Sequence, residues 1–319
     1  MGRYIIGLAI SLAALWWAFK GMDWQSFGEA FGQGNLWGLA AASIIMLLAV
    51  PIRGWRWRVF LAPIREVPFR VTHAGTFLGF FANNILPFRL GELLRTHFVA
   101  RQTSSTMSQV FGSVLVERTV DYLNFLVLLA LLPLMNVVPA QIRRPLVWVI
   151  AIGVVLALVT LWLARRRGGL PIRPGRVKRF LDDLLLAFTS LRRGERTLTI
   201  VVTSVGIWLC YLLSIHVTQL AMGLTLTLAD SYLLLIATTL VMAVPVTPGY
   251  IGTFHAAVIL VLVNVLATDQ SQAQATAVAL HAIGVIPYTL IGAIIYFRSH
   301  LQLRGLRARE RGSYGEAPS

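Results

Sequence analysis

Apolar stretches long enough to cross a lipid bilayer recur from one end of the chain to the other. A spanning helix needs about 20 mostly apolar residues, and such runs fall near residues 4–19, 36–52, 119–138, 146–164, 198–222, 231–247, 253–267 and 275–297. Of the 319 residues, 57% are hydrophobic and 13% charged, whereas a soluble domain carries about 25% charged residues. The expected fold is therefore all-α, a polytopic membrane helical bundle with about eight spanning helices. One integral membrane unit covers 1–300, in two pseudo-symmetric halves, 1–164 and 198–300, joined by a basic linker at 165–197 and followed by a tail at 301–319. Residues 71–118 fit no single span, so they cross twice or enter and leave on one side as re-entrant or broken helices. The first run has one basic residue ahead of it and Trp16, Trp17 and Lys20 where cleavage would fall. It reads as a retained helix and not as a removed signal peptide.

Basic residues in short loops mark the cytoplasmic side. They concentrate in the run Arg53, Arg56, Arg58, read as opening a loop at 53–70, in the stretch from Arg165 to Arg196, and from Arg298 to Arg311. Both termini are thus expected in the cytoplasm of a bacterial inner membrane, with Arg143 and Arg144 as the exception to the charge rule. The linker spaces Leu181, Leu184, Leu185, Phe188 and Leu191 as an amphipathic helix does, suited to an anionic membrane surface. The formal charge of +15 does not point to nucleic acid, because the basic residues flank apolar segments and form no continuous face with interleaved aromatics. Anionic lipid is the expected partner. Cys210 is the one cysteine, which excludes an intrachain disulfide and a cysteine metal cluster.

The run from Asn83 to Arg95 places a Pro, a Gly, two amides and three charges in an otherwise apolar region. Pro87 removes a backbone donor and Gly91 loosens the helix, so the freed carbonyls must be satisfied by protein or by a water-filled cavity. A broken or re-entrant helix follows. Arg89, Glu92 and Arg95 are spaced three apart, and on a helix starting after Pro87 they form a ladder in which Glu92 pairs with either arginine. One positive charge is then left for an anionic group. Glu117, Arg118 and Asp121 stand at the mouth of the next apolar run, with Glu117 and Asp121 on one face and Arg118 within reach of Asp121. Ionisable residues inside a span cost about 2.5–3.5 kcal/mol each on insertion scales and by default mark a functional interior; structural ion pairing between half-helices is the competing role.

In the second half, the run from Val244 to His255 breaks an apolar region with Pro245, Pro248, Gly249 and Gly252. Helix interruptions in corresponding places of two halves point to a midplane site. Gly249 and Gly252 would open that break, and Thr253 with the amides after Gly252 would form a helix amino terminus suited to an anion. His255 could carry a proton, or could simply pack. The other histidines, such as His73, His97, His216 and His281, lack metal-ligand spacing, so no metal or cofactor is expected.

On these residues the chain resembles the lysylphosphatidylglycerol synthase transmembrane family, whose members are described as flippase-like. The resemblance rests on Asn84 with Leu86 and Pro87, on Arg89, Gly91, Glu92 and Arg95, on Glu117, Arg118 and Asp121, and on Pro248, Gly249, Ile251, Gly252 and Thr253. It covers the whole membrane portion. It implies a bundle with broken helices in both halves that moves lipids or lipid-linked head groups between leaflets, some members being fused to a cytosolic aminoacyltransferase. Here the sequence stops at Ser319, so synthesis of an aminoacylated lipid is not expected of it. The chain departs from the family where His255 stands in place of a common Glu and Tyr250 in place of a usual Gly.

The expected function is a translocase for an anionic or polyprenyl-linked lipid, with Asn84, Arg89, Glu92, Arg95, Glu117, Arg118, Asp121, Gly249, Gly252 and Thr253 in the binding site. The alternative is a membrane partner of a lipid-modifying glycosyl- or aminoacyl-transferase. No phosphate-binding loop and no nucleophile beside a base mark the chain as an enzyme.

Overall fold

The structure, a computed structural model, describes residues 2–86, 89–134, 147, 148, 151–153, 155, 194–243 and 247–299. Most of the run at 146–164, Arg143 and Arg144, the linker up to residue 193, Pro87, Val244 to Val246 and the tail from residue 300 lie outside the described residues.

Every regular element among the described residues is helical. The first half contains α1 (Gly2–Phe19), α2 (Trp24–Gly32), α3 (Leu36–Leu61), α4 (Phe69–Ile85), α5 (Gly91–Thr103) and α6 (Met107–Leu131). The second contains α7 (Gly194–Ala221), α8 (Leu228–Ala243), α9 (Thr253–Asn264) and α10 (Gln270–Arg298). Local chemistry sets several starts. The Asn35 and Asp269 side chains each accept from two backbone amides in the first turns of α3 and α10, and Thr106 with Gln109 forms a reciprocal capping box on α6.

The helices Leu36–Leu61, Glu195–Ala221 and Gln270–Arg298 are long and apolar enough to cross a membrane. Shorter apolar helices lie at Ala9–Phe19, Leu228–Ala243 and Thr253–Asn264. The polarity is that of a membrane protein. Trp37, Trp24, Phe297 and Leu36 are more than two-thirds exposed, while Arg56, Glu117, Gln219, Gln274 and Thr218 are fully buried.

Two antiparallel pairings tie the halves together. Along α3 and α7, Gly38 meets Ala221, the Ser214 hydroxyl donates to the Ala42 carbonyl at 3.0 Å, Ile52 meets Gly206, and Arg56 reaches Ser204. Along α4 and α10, Asn84 donates to Thr289 Oγ1 at 2.9 Å and Gly292 lies against Phe77 and Phe81. The small residues at these crossings let the backbones approach, the general device of helix packing in lipid.

The first break is a hairpin. Gly75 faces Val99, Gly79 faces Arg95 and Asn83 faces Gly91, the register of two antiparallel helices. A Cβ on Gly91 would collide with the Gly79 carbonyl oxygen and the Asn83 amide, so the crossing requires glycine. At 1.5 Å per residue the 13 residues of α5 reach about 20 Å, short of a hydrocarbon core of about 30 Å. The second break joins α8 to α9 through a 3₁₀ turn at Pro248–Tyr250.

Two expectations are corrected. Arg53, Arg56 and Arg58 do not open a loop: α3 continues through Pro51 to Leu61, because Arg53 and Arg56 are turned inward onto carboxylates of α6. Arg89 does not belong to a helical ladder either. It sits in the turn before α5 with a left-handed φ of 53°, and the helix begins only at Gly91.

Candidate functional site

A network of charge fills the space between α3, α5 and α6. Glu117, with no exposed surface, lies at its centre and meets Arg53 at 2.8 Å, Arg95 at 2.8 Å, Arg118 at 3.5 Å and Arg56 at 3.6 Å. Asp121, one helical turn on, pairs with Arg53 and, at 2.5 Å, with Arg56. Glu92 at the start of α5 holds Arg95 at 2.5 Å and stands 3.6 Å from Arg118. Remaining donors go to neutral partners: Arg53 donates to the Tyr211 hydroxyl at 3.0 Å and Arg56 to Ser204 Oγ at 2.9 Å. The Arg95 guanidinium stacks over Trp57 at 4.7 Å, and Trp57 Nε1 donates to Ser113 Oγ at 3.0 Å. Several kcal/mol per ion is lost on moving such groups from water, and this density of pairing is what offsets it.

Four guanidinium groups thus face three carboxylates, an excess of one positive charge. The excess sits most loosely on Arg118. Arg53, Arg56 and Arg95 each have a carboxylate oxygen within 2.8 Å, whereas all three carboxylate contacts of Arg118 are 3.5–3.6 Å. Its side chain is also the most exposed of the seven, at 25%.

Arg118 faces a cavity of about 260 Å³ between the two halves. Charge lines one part of it, from Arg53, Arg89, Glu92, Arg118 and Asp121, and apolar or aromatic side chains line another, among them Phe125, Trp208, Leu235 and Phe254. Both breaks reach its wall, the first through Asn83, Asn84 and Arg89, the second through Gly249 and Tyr250. Arg89 bridges them: it donates to the Met242 carbonyl at 2.6 Å, to the Tyr250 hydroxyl at 3.2 Å and to the Tyr122 hydroxyl at 3.5 Å. Among the described residues no carboxylate lies within ion-pair distance of Arg89.

The residues expected at the site separate into three groups. Asn84, Arg89, Glu92, Arg118, Asp121 and Gly249 line the cavity. Arg95 and Glu117 are buried behind its wall, holding the others in place. Gly252 and Thr253 are brought to neither. Thr253 does begin α9, as its position after Gly252 predicts, but that end packs against α1: a Cβ on Gly252 would strike the Ser11 carbonyl and the Leu15 amide, and Ser11 Oγ donates to the Ile251 carbonyl at 2.6 Å. His255 is buried off the cavity, its ring 4.6 Å from that of His281 and 5.7 Å from that of Phe19. His281 lines the cavity and ties α10 to the second break through a 2.8 Å contact with the Gly249 carbonyl.

Sequence reasoning missed Arg53 and Arg56, which form the α3 side of the network, Tyr211, whose hydroxyl accepts from Arg53, and Tyr122 and Tyr250, whose hydroxyls accept from Arg89. The Arg53–Arg56 spacing of three residues, which puts both on one helical face, was the available signal.

The chain is similar to known membrane proteins. A UPF0104 membrane protein of Methanocaldococcus jannaschii is 23% identical over 220 residues, covering 68% of this chain and 93% of that protein. Another, of Pyrococcus horikoshii, is 28% identical over 131 residues, covering 40% of this chain and 38% of the relative. The profile of the family described as lysylphosphatidylglycerol synthase TM region matches residues 4–292. The chain belongs to that family of membrane proteins.

Proposed function

We propose that this protein is a translocase that carries an anionic lipid head group between leaflets of the cytoplasmic membrane. The head group is received between the halves by Arg118 and Arg89, while the hydrocarbon tails stay in lipid. The observation that carries this reading is the surplus positive charge on a cavity wall where the two breaks meet. Arginine offers a planar fork matched to phosphate oxygens, and a charge-assisted bond to phosphate is stronger than the long contacts Arg118 now makes. In this reading α4 and α5 enter and leave the bilayer on one face, and both termini face the cytoplasm.

The test is leaflet exchange of fluorescently labelled phosphatidylglycerol in reconstituted vesicles, read by quenching from outside. The native protein is expected to expose the inner-leaflet pool and Arg118→Gln to slow it roughly tenfold or more, the loss of one charge-assisted contact. Equal rates in both, for this and for polyprenyl phosphate, would remove the site assignment.

A further inference from the structure

The outer wall of the cavity has a seam between α6 and α8 that is closed at one end and latched at the other. At the closed end, Phe125, Leu129 and Leu132 pack with Tyr232 and Ile236, and the Tyr232 hydroxyl donates to the Leu128 carbonyl at 2.5 Å. The two helices run antiparallel from there towards Tyr122 on α6 and Met242 on α8. Both of those residues line the cavity and are accessible, at 48% and 37%. The cavity is therefore accessible at this point, where the Arg89 contacts to Tyr122 and Met242 are themselves exposed. Among the described residues, the polar link across that end is Arg89, bonded to the Tyr122 hydroxyl on one side and the Met242 carbonyl on the other.

We infer that this seam is a lateral portal for a phospholipid with an anionic phosphodiester head, and that Arg89 is its latch. The inference deepens the translocase reading and rests on it for the steps after entry, though not for entry itself. Arg89 is held by two phenol hydroxyls and a backbone carbonyl, all neutral. A phosphate arriving from the bilayer offers the same guanidinium an anionic, bidentate partner, two parallel bonds to a charged acceptor in place of single bonds to neutral ones. Transfer of Arg89 to the phosphate releases the Met242 carbonyl at the end of α8 and the Tyr122 hydroxyl on α6 in one event. The seam can then widen from its latched end while the aromatic cluster at the other end remains packed. The head group passes inward towards Arg118, whose carboxylate contacts are the loosest in the network. The tails need not enter, because the seam opens on the lipid side. An uncharged lipid of the same shape has nothing to exchange with the latch and is refused.

The experiment places cysteines on the two lips, Tyr122→Cys and Met242→Cys, in a chain carrying Cys210→Ser. The lips are bridged with a short bis-methanethiosulfonate that dithiothreitol removes. Two quantities are read on the same sample before bridging, after bridging and after reduction: phosphatidylglycerol bound per chain by native mass spectrometry, and exchange of labelled phosphatidylglycerol in vesicles. Bridging is expected to abolish both the uptake of added lipid and the exchange, and reduction to restore them. Diacylglycerol is expected not to bind in any state. If the bridged protein takes up phosphatidylglycerol as the unbridged one does, the portal lies elsewhere and the inference is overturned. If bridging blocks uptake but neither the unbridged variant nor the native protein, with Tyr122 in place, shows exchange, the portal stands and the translocase reading falls.

Discussion

The two helix breaks face the same cavity but are built differently. The first, between α4 and α5, is backed by charge: Glu92 opens the returning helix and is locked to Arg95, which reaches the fully buried Glu117. The second, between α8 and α9, is held by neutral contacts, with Thr253 Oγ1 donating to the Tyr250 carbonyl at 3.2 Å and His281 meeting the Gly249 carbonyl at 2.8 Å. A buried ion network has few alternative arrangements, because displacing one member strands its partners. Neutral hydrogen bonds of about 1 kcal/mol net each can be exchanged singly. On the translocase reading proposed above, the first break would be the fixed wall of the cavity and the second the wall that yields, with Arg89 joining them.

Substitutions can break that contrast, beginning with the largest effect. Glu117→Ala leaves four arginines short of a central anion and is expected to lower stability by about 3–5 kcal/mol, enough to lose most folded protein in a detergent thermal-melt assay; a melt within a few degrees of the native one would deny the network its structural role. Gly252→Val places a branched side chain at a φ of 88° against the α1 backbone, and a loss of about 2–3 kcal/mol is expected from strain and overlap together. Here the damage belongs to α1 packing, so increased proteolysis near residue 20 should accompany it. His281→Phe removes the link to Gly249 but keeps ring volume, with about 1 kcal/mol expected in the same melt. Arg118→Gln should be the mildest for stability, under about 1 kcal/mol, since Glu92 keeps Arg95 and Asp121 keeps Arg53 and Arg56. A melt as damaged as that of Glu117→Ala would make Arg118 part of the frame and not a spare cation.

How much of this could be read from the sequence varies by feature, for physical reasons. Apolar run length announces membrane helices, because lipid admits little else. Both breaks announce themselves through Pro and Gly. The pairing of Arg118 with Asp121 follows from helical spacing alone and is present at 3.5 Å. Arg53 and Arg56 were hidden because arginines at the end of an apolar run carry the same signature as a cytoplasmic flank, and only the facing carboxylates of α6 distinguish the two cases. The direction of the α9 amino terminus was equally hidden. Gly252 and Thr253 start a helix as expected, yet whether that start faces a cavity or a neighbouring helix depends on α1, far away in sequence. For Arg89, the sequence shows a charge after a proline but not the left-handed turn that takes it off the helix and across to Met242 and Tyr250.

The most direct test of the central claim is a cryo-EM map of the protein in nanodiscs rich in phosphatidylglycerol. The account predicts phosphate density in the cavity within hydrogen-bonding distance of Arg118 or Arg89, with the acyl chains leaving between α6 and α8, and with Glu117 still enclosed by its arginines. A cavity free of lipid density, with ordered phosphates confined to the outer surface, would contradict it.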